Sequence, residues 1–159
     1  MRKITKIIMK NLLSFWGFAI FIFFCCVPTE TNAQTRKSVS GTEVTGTFRD
    51  ESGSEFRILA LGKGKLRVAF SGIYMHMTAS GEKMPNLGEA SGEAIISGDT
   101  AIFRREDTKQ CTITIKFLTR GRLKVTQKGT DVECGFGNNV SADGDYKKIS
   151  SAKPKFVAP

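Results

Sequence analysis

His76 is the only histidine in the chain, and it stands in Tyr74-Met75-His76-Met77 with Met84 eight residues on. Thioethers beside an imidazole suit Cu(I). Alternation along a strand opposes that reading, because Met75 and Met77 would share one face while His76 points to the other. Core methionines and a surface histidine explain the same residues, and no metal is expected. Any Ser-His-Asp relay would need His76, whose neighbours offer it no partner. The carboxylate pairs Asp143 with Asp145 and Glu106 with Asp107 fall in turns, where solvated charge accounts for them. Asp143-Gly144-Asp145, with Asn138 and Asn139 upstream, lacks the spacing of an EF-hand calcium loop and fits an Asx-type turn. The chain has neither a phosphate loop nor a dinucleotide fingerprint. The expectation is a protein that is not an enzyme, with no catalytic residue and no cofactor.

Cysteine is the remaining reactive residue, and its compartment depends on the N-terminus. Arg2, Lys3, Lys6 and Lys10 precede an uncharged run, Leu12 to Val27, of 16 residues. Pro28 to Ala33 follows, ending in the small residues of Thr31-Asn32-Ala33. Basic, apolar, small is the order of an export signal, and a membrane span needs roughly 20 apolar residues. A cleaved signal peptide over 1–33 is therefore expected, with a retained anchor or a lipoprotein as the alternatives. Cleavage removes four basic residues and one acidic residue, which takes the net charge from +9 to +6. It also removes Cys25 and Cys26. Cys111 and Cys134 remain as an even pair in an oxidising compartment, which predicts a disulfide. Closing about 24 residues, such a bond contributes roughly 3 kcal/mol in the chain-entropy model. The rival reading, two thiols on a metal, lacks further ligands nearby.

The elements that would position these residues repeat with a period of two, and turn signals recur about every 8 to 12 residues, the pattern of a barrel or sandwich. Residues 34–42 are polar and read as a flexible arm, 43–149 as the folded domain, and 150–159 as an extended tail. Eight strands are expected. The first runs from Glu43 to Arg49, the second from Glu55 to Leu61 and the third from Lys65 to Met77. A bulge at Ser71-Gly72 would keep Leu66, Val68, Phe70, Ile73, Met75 and Met77 on one face. The fourth runs from Glu89 to Ser97 and the fifth from Thr100 to Glu106. Cys111 to Leu118 and Leu123 to Gln127 follow, and a last strand starts at Gly144. An even-numbered meander can pair its last strand with its first. Gly46-Thr47-Phe48-Arg49 and Gly144-Asp145-Tyr146-Lys147 share a Gly-x-aromatic-basic order that favours this. The expected fold is all-β, a small antiparallel eight-stranded up-and-down barrel of calycin-like plan. A two-sheet β-sandwich is the alternative.

Phe56, Phe70, Phe103, Ile113, Ile115, Phe117, Val125 and Tyr146 are the inward candidates, and they are bulky enough to fill a barrel of this size. The longest gap, Ala79 to Gly88, carries Met84 and Leu87 with no strand to pack on. Loops of that length are often functional, so these two are the candidate binding residues.

Cys134-Gly135-Phe136-Gly137, followed by Val140, Ala142, Asp143, Gly144 and Tyr146, resembles a C-terminal pattern of uncharacterised small secreted bacterial β proteins. The upstream Cys111-x-Ile113-x-Ile115-x-Phe117 belongs to the same likeness, which covers about a quarter of the chain. An exported basic barrel with one disulfide is also similar in plan to periplasmic lysozyme inhibitors, without the short motifs those inhibitors insert into the enzyme. The expected function is a secreted or periplasmic binding module, inhibitor-like in plan and monomeric. Its partner would be a protein, a glycan or an envelope component. A small-ligand or metal carrier of the calycin type is the alternative. Nucleic acid is not an expected partner, since no basic run with interleaved aromatics is present. The membrane enters only through the signal segment.

Overall fold

The computed structural model describes residues 38–105 and 110–156. The expected signal segment, residues 34–37 of the arm, Glu106, Asp107 and the last three residues of the tail lie outside them. Eight antiparallel strands close into one barrel in chain order, each paired with the next and the last with the first. They are β1 (Gly46–Arg49), β2 (Glu55–Gly62), β3 (Lys65–Met77), β4 (Lys83–Ser97), β5 (Thr100–Arg104), β6 (Thr112–Leu118), β7 (Arg122–Lys128) and β8 (Gly144–Ser150). The sandwich alternative is thereby set aside.

The two Gly-x-aromatic-basic stretches form β1 and the start of β8, but of the second only Lys147 meets β1, while Gly144, Asp145 and Tyr146 pair with β7. The β1–β8 seam pairs Thr47 with Ser150, Phe48 with Lys148 and Arg49 with Lys147, and its register shifts between Thr47 and Phe48. Gly46 and Gly144 begin the two strands at nearly the same backbone angle, φ 147° and 150°. That conformation favours glycine, and a Cβ at Gly46 would also run into the Ser150 carbonyl.

Alternation sends Phe48, Phe56, Ile58, Leu66, Val68, Phe70, Phe103, Ile113, Ile115, Leu123, Val125 and Tyr146 into the barrel, where each is sealed from solvent. Fully burying one such aliphatic or phenylalanine side chain contributes roughly 1.5–3 kcal/mol. Phe56 sits at the centre of an aromatic group, 4.9 Å from Phe70 and edge-on to Tyr146 at 5.0 Å between ring centroids. Every inward candidate read from the sequence is buried.

One end of the barrel is capped by a short helix, α1 (Gly41–Val44), where a first strand beginning at Glu43 was expected. Ser40-x-x-Glu43 is a capping box. The Glu43 N–H donates to Ser40 Oγ and the Ser40 N–H donates to the Glu43 carboxylate at 2.9 Å. That exchange turns the chain before β1 can start. Val39, expected to lie in an unpacked arm, rests against the core. Lys148, from the last strand, reaches this cap and donates to the carbonyls of Thr42, Glu43 and Thr45 at 3.2, 2.6 and 2.9 Å. A cation at a helix C-terminus satisfies carbonyls that the helix itself leaves open. Burial lowers the Lys148 ammonium below the ordinary lysine value, and the Glu43 carboxylate opposes that shift.

Candidate functional site

At the other end, β3 and β4 outrun their neighbours. The β2 ladder on β3 stops at Glu55 opposite Ser71, and β5 meets β4 only from Ala94 onward. Between Gly72 and Gly88 the two strands therefore continue as a two-stranded ribbon, paired without a break from Gly72 opposite Gly88 to Met77 opposite Lys83. The loop expected from Ala79 to Gly88 shrinks accordingly to a tip at Thr78–Glu82, closed by Thr78 N–H to the Glu82 carbonyl at 2.9 Å.

Two expectations are corrected here. Met84 and Leu87 are strand residues, and the Pro-Asn-Leu-Gly stretch that reads as a turn is ladder. Pro85 is tolerated because of parity. The Ile73 N–H, turned away from β4, goes to Ser54 Oγ at 3.1 Å, and the Leu87 carbonyl, turned away from β3, accepts from Gly137 N–H at 3.0 Å. Two residues further on, Pro85 occupies the same outward phase, so its missing N–H costs the ribbon no bond. The second correction is the bulge. The β3–β4 register runs through Ser71 and Gly72 without a shift, so simple alternation holds. Tyr74 and His76 stay in phase with Phe70, and Ile73, Met75 and Met77 take the outer face.

Residues opposite one another share a face. Ile73, Met75 and Met77 thus lie with Leu87, Pro85 and Lys83 on one side, and Tyr74 and His76 with Asn86 and Met84 on the other. Both sides present apolar surface to water: Tyr74 is 41% exposed, Met75 52%, Met77 59%, Met84 49% and Leu87 60%. Met84 and Leu87, the two candidate binding residues, are on opposite faces of the ribbon.

The base of the ribbon is held by the segment joining β7 to β8, residues 129–143, which folds over the barrel end. Phe136, Val140 and Ala142 are buried there, and Cys134 is bonded to Cys111, which directly precedes β6. Gly72 and Gly88 make room for it. A Cβ at Gly72 would fall 2.6 Å from Val140 Cγ1 and 2.6 Å from the Phe70 ring, and one at Gly88 would fall 2.8 Å from Val140 Cγ1. The cross-strand glycine pair is a notch that receives Val140, with Phe136 beside it. Sequence reasoning missed it. The available signal was symmetry, since Gly72 and Gly88 are each eight residues from Ser80 at the hairpin tip.

The turn carboxylates serve this segment. Asp143 Oδ1 accepts the Gln127 N–H at 2.6 Å, Gln127 Oε1 accepts the Ala142 N–H at 2.8 Å, and Asp131 Oδ2 accepts the Asn139 N–H at 2.7 Å. Asp145 pairs with Lys124 at 3.1 Å. The Tyr146 hydroxyl donates to the Ala142 carbonyl at 3.0 Å. Its burial, reinforced by Asp50 and Asp143, pushes that phenol well above the ordinary tyrosine value and keeps it a donor. Asn86 Nδ2 donates to the Asn138 carbonyl at 2.7 Å, tying the ribbon to the 129–143 segment.

The ribbon divides the residues whose chemistry would suit copper. His76 faces Met84 across the strands, while Met75 and Met77 are on the reverse side. His76 Nδ1 is buried without a hydrogen-bond partner among the described residues. Among the described residues, no three His, Cys, Asp or Glu side chains gather as metal ligands, and no helix is long and apolar enough to cross a membrane. No family model, no curated protein and no solved structure matches the chain.

Proposed function

We propose that the chain is an exported, non-catalytic binding module that engages a protein, glycan or other envelope component through its β3–β4 ribbon. The observation that carries this reading is the ribbon's apolar surface, exposed on both faces beyond the point where any barrel wall could cover it. Exposed contiguous apolar surface on a folded domain marks an interaction site. A filled interior supports recognition at the surface over a calycin-type carrier. Phe56, Phe70, Tyr146 and their neighbours occupy the space a small ligand would need, and the two barrel ends are covered by α1 with Lys148 and by residues 129–143. The disulfide fits an oxidising compartment. The basic, apolar, small order of residues 1–33 supports export by a signal peptide.

The ribbon has a direct test. Met84→Ser/Leu87→Ser removes apolar surface from both faces without touching the barrel. Stability in chemical denaturation is expected to change by less than about 0.5 kcal/mol, as for surface positions generally. Capture of envelope material by the immobilised protein is expected to fall. A loss of about 2 kcal/mol or more would make the two residues part of the core and overturn the ribbon as a docking element.

A further inference from the structure

We infer that the outer wall of β2 to β5 carries a second binding site, for a carboxylate-bearing polysaccharide, in a recess of about 920 Å³ walled by arginines. The residues come from four strands. Arg57 lies on β2, Arg67 on β3, Glu89, Ser91 and Glu93 on β4, and Arg104 at the end of β5. Register gathers them: Arg57 stands opposite Ala69, which stands opposite Ser91, and Arg67 stands opposite Glu93. Ala69 and Ser91 are small, so the wall is hollowed between the longer side chains.

The charges of this recess are only partly spent. Lys65 Nζ takes Glu93 at 3.2 Å, and Arg105 donates to the Glu89 and Cys134 carbonyls. Among the described residues, Arg57, Arg67 and Arg104 have no carboxylate within ion-pair distance. Arg57 touches the Lys155 carbonyl at 3.5 Å, and Arg67 lies over the Phe156 ring at 5.0 Å. Guanidinium forks suit carboxylate bidentately. A single small anion would occupy a minor part of this volume, and Arg57 and Arg104 rise from strands three steps apart, about 14 Å. The matching ligand is extended and carries several anions. Glu89 and Ser91 on the floor select further. They oppose a uniform polyanion but accept hydrogen bonds from hydroxyls, so a chain alternating carboxylate with hydroxyl uses both signs. Nucleic acid lacks its stacking platform here: among the described residues lining the recess, Phe156 is already covered by Arg67 and Phe70 is buried.

The test uses protein produced from the full chain and tetragalacturonic acid as the probe, titrated calorimetrically at low and moderate salt. One tetramer is expected to bind per protein, with affinity falling as salt rises. Its methyl ester, and the wild-type protein's paired variant Arg57→Ala/Arg104→Ala, should each lose at least tenfold. Arg57→Lys/Arg104→Lys, which keeps charge and removes the fork, should lose about three- to tenfold. Arg122→Ala/Lys124→Ala, on the far wall, should stay within about twofold. Absence of binding, equal loss in the far-wall variant, or unchanged affinity in the lysine variant would overturn the site. A tetraglutamate peptide binding as tightly as the sugar would overturn the polysaccharide assignment. Met84→Ser/Leu87→Ser should bind the tetramer like wild type, so a failed recess leaves the ribbon proposal standing, and a failed ribbon leaves the recess.

Discussion

Reducing the Cys111–Cys134 bond is expected to lower stability by about 2–4 kcal/mol and to loosen the C-terminal part of the barrel before its central hairpins. Cys111 enters β6, whose side-chain directions are fixed by the burial of Ile113, Ile115 and Phe117. Cys134 lies in the segment that carries Phe136, Val140 and Ala142 over the barrel end, with its Cα 4.9 Å from that of Cys111. Cutting the bond leaves the segment held by hydrogen bonds and by three buried side chains. Ala142 is also the residue whose carbonyl receives the Tyr146 hydroxyl, so motion there passes directly into β8. Hydrogen exchange before and after reduction should show Gly144–Ser150 opening first, with β2 and β3 still protected. Uniform loss of protection, or free thiols in natively produced protein, would refute this order.

Filling the glycine notch should have an effect of similar size. Gly72→Ala and Gly88→Ala each place a methyl group against Val140, and overpacking of this kind costs about 1–3 kcal/mol. Flexible ends could yield, but Val140 is buried and branched, and the Phe70 ring is packed against Phe56 and Phe136. The partner substitution isolates the cause. Val140→Ala opens a cavity in the wild-type protein, whereas in the Gly72→Ala background it relieves a clash. The double variant should therefore be more stable than the sum of the single changes implies, by about 1 kcal/mol or more in denaturant titration. Simple additivity would mean that the segment does not seat in the notch.

Inside the barrel, sequence patterning was a sufficient guide. Phe56 with Ile58, and Ile113 with Ile115 and Phe117, alternate against polar neighbours, and only one face of each strand can be the core. The even number of strands foretold the closing seam, whereas the matched start at Gly144 lies against β7 and not in it. Patterning failed where the chain leaves the barrel. A bulge at Gly72 was expected because Met75 and Met77 were assumed to need an interior, yet the ribbon has none, and apolar residues there follow the pleat out into solvent. Pro85 and Gly88 mimicked a turn because their local preferences are those of turns; outward phase and a close neighbour explain them instead. Ser40 and Glu43 did carry a legible signal, a capping box, that polar composition concealed. The arginine recess had no linear trace. Arg57, Arg67 and Arg104 are distant in sequence, and only the register of four strands assembles them.

The placement of the disulfide also bears on how long the folded protein lasts. Every seam but one joins strands adjacent in the chain, and the exception, β1 with β8, brings together residues as far apart as Thr47 and Ser150. That pairing sets the slow step of assembly, because it closes a loop of about 100 residues. The bond spans 23 residues within that loop. Shortening the loop to about 80 residues eases closure by only about 0.2 kcal/mol. Oxidised and reduced chains should therefore fold at nearly the same rate, while the reduced form unfolds faster, a split readable from the two arms of a chevron. A refolding arm slowed tenfold on reduction would contradict it. The bond thus acts as a brake on opening: it protects the barrel kinetically rather than helping it to form.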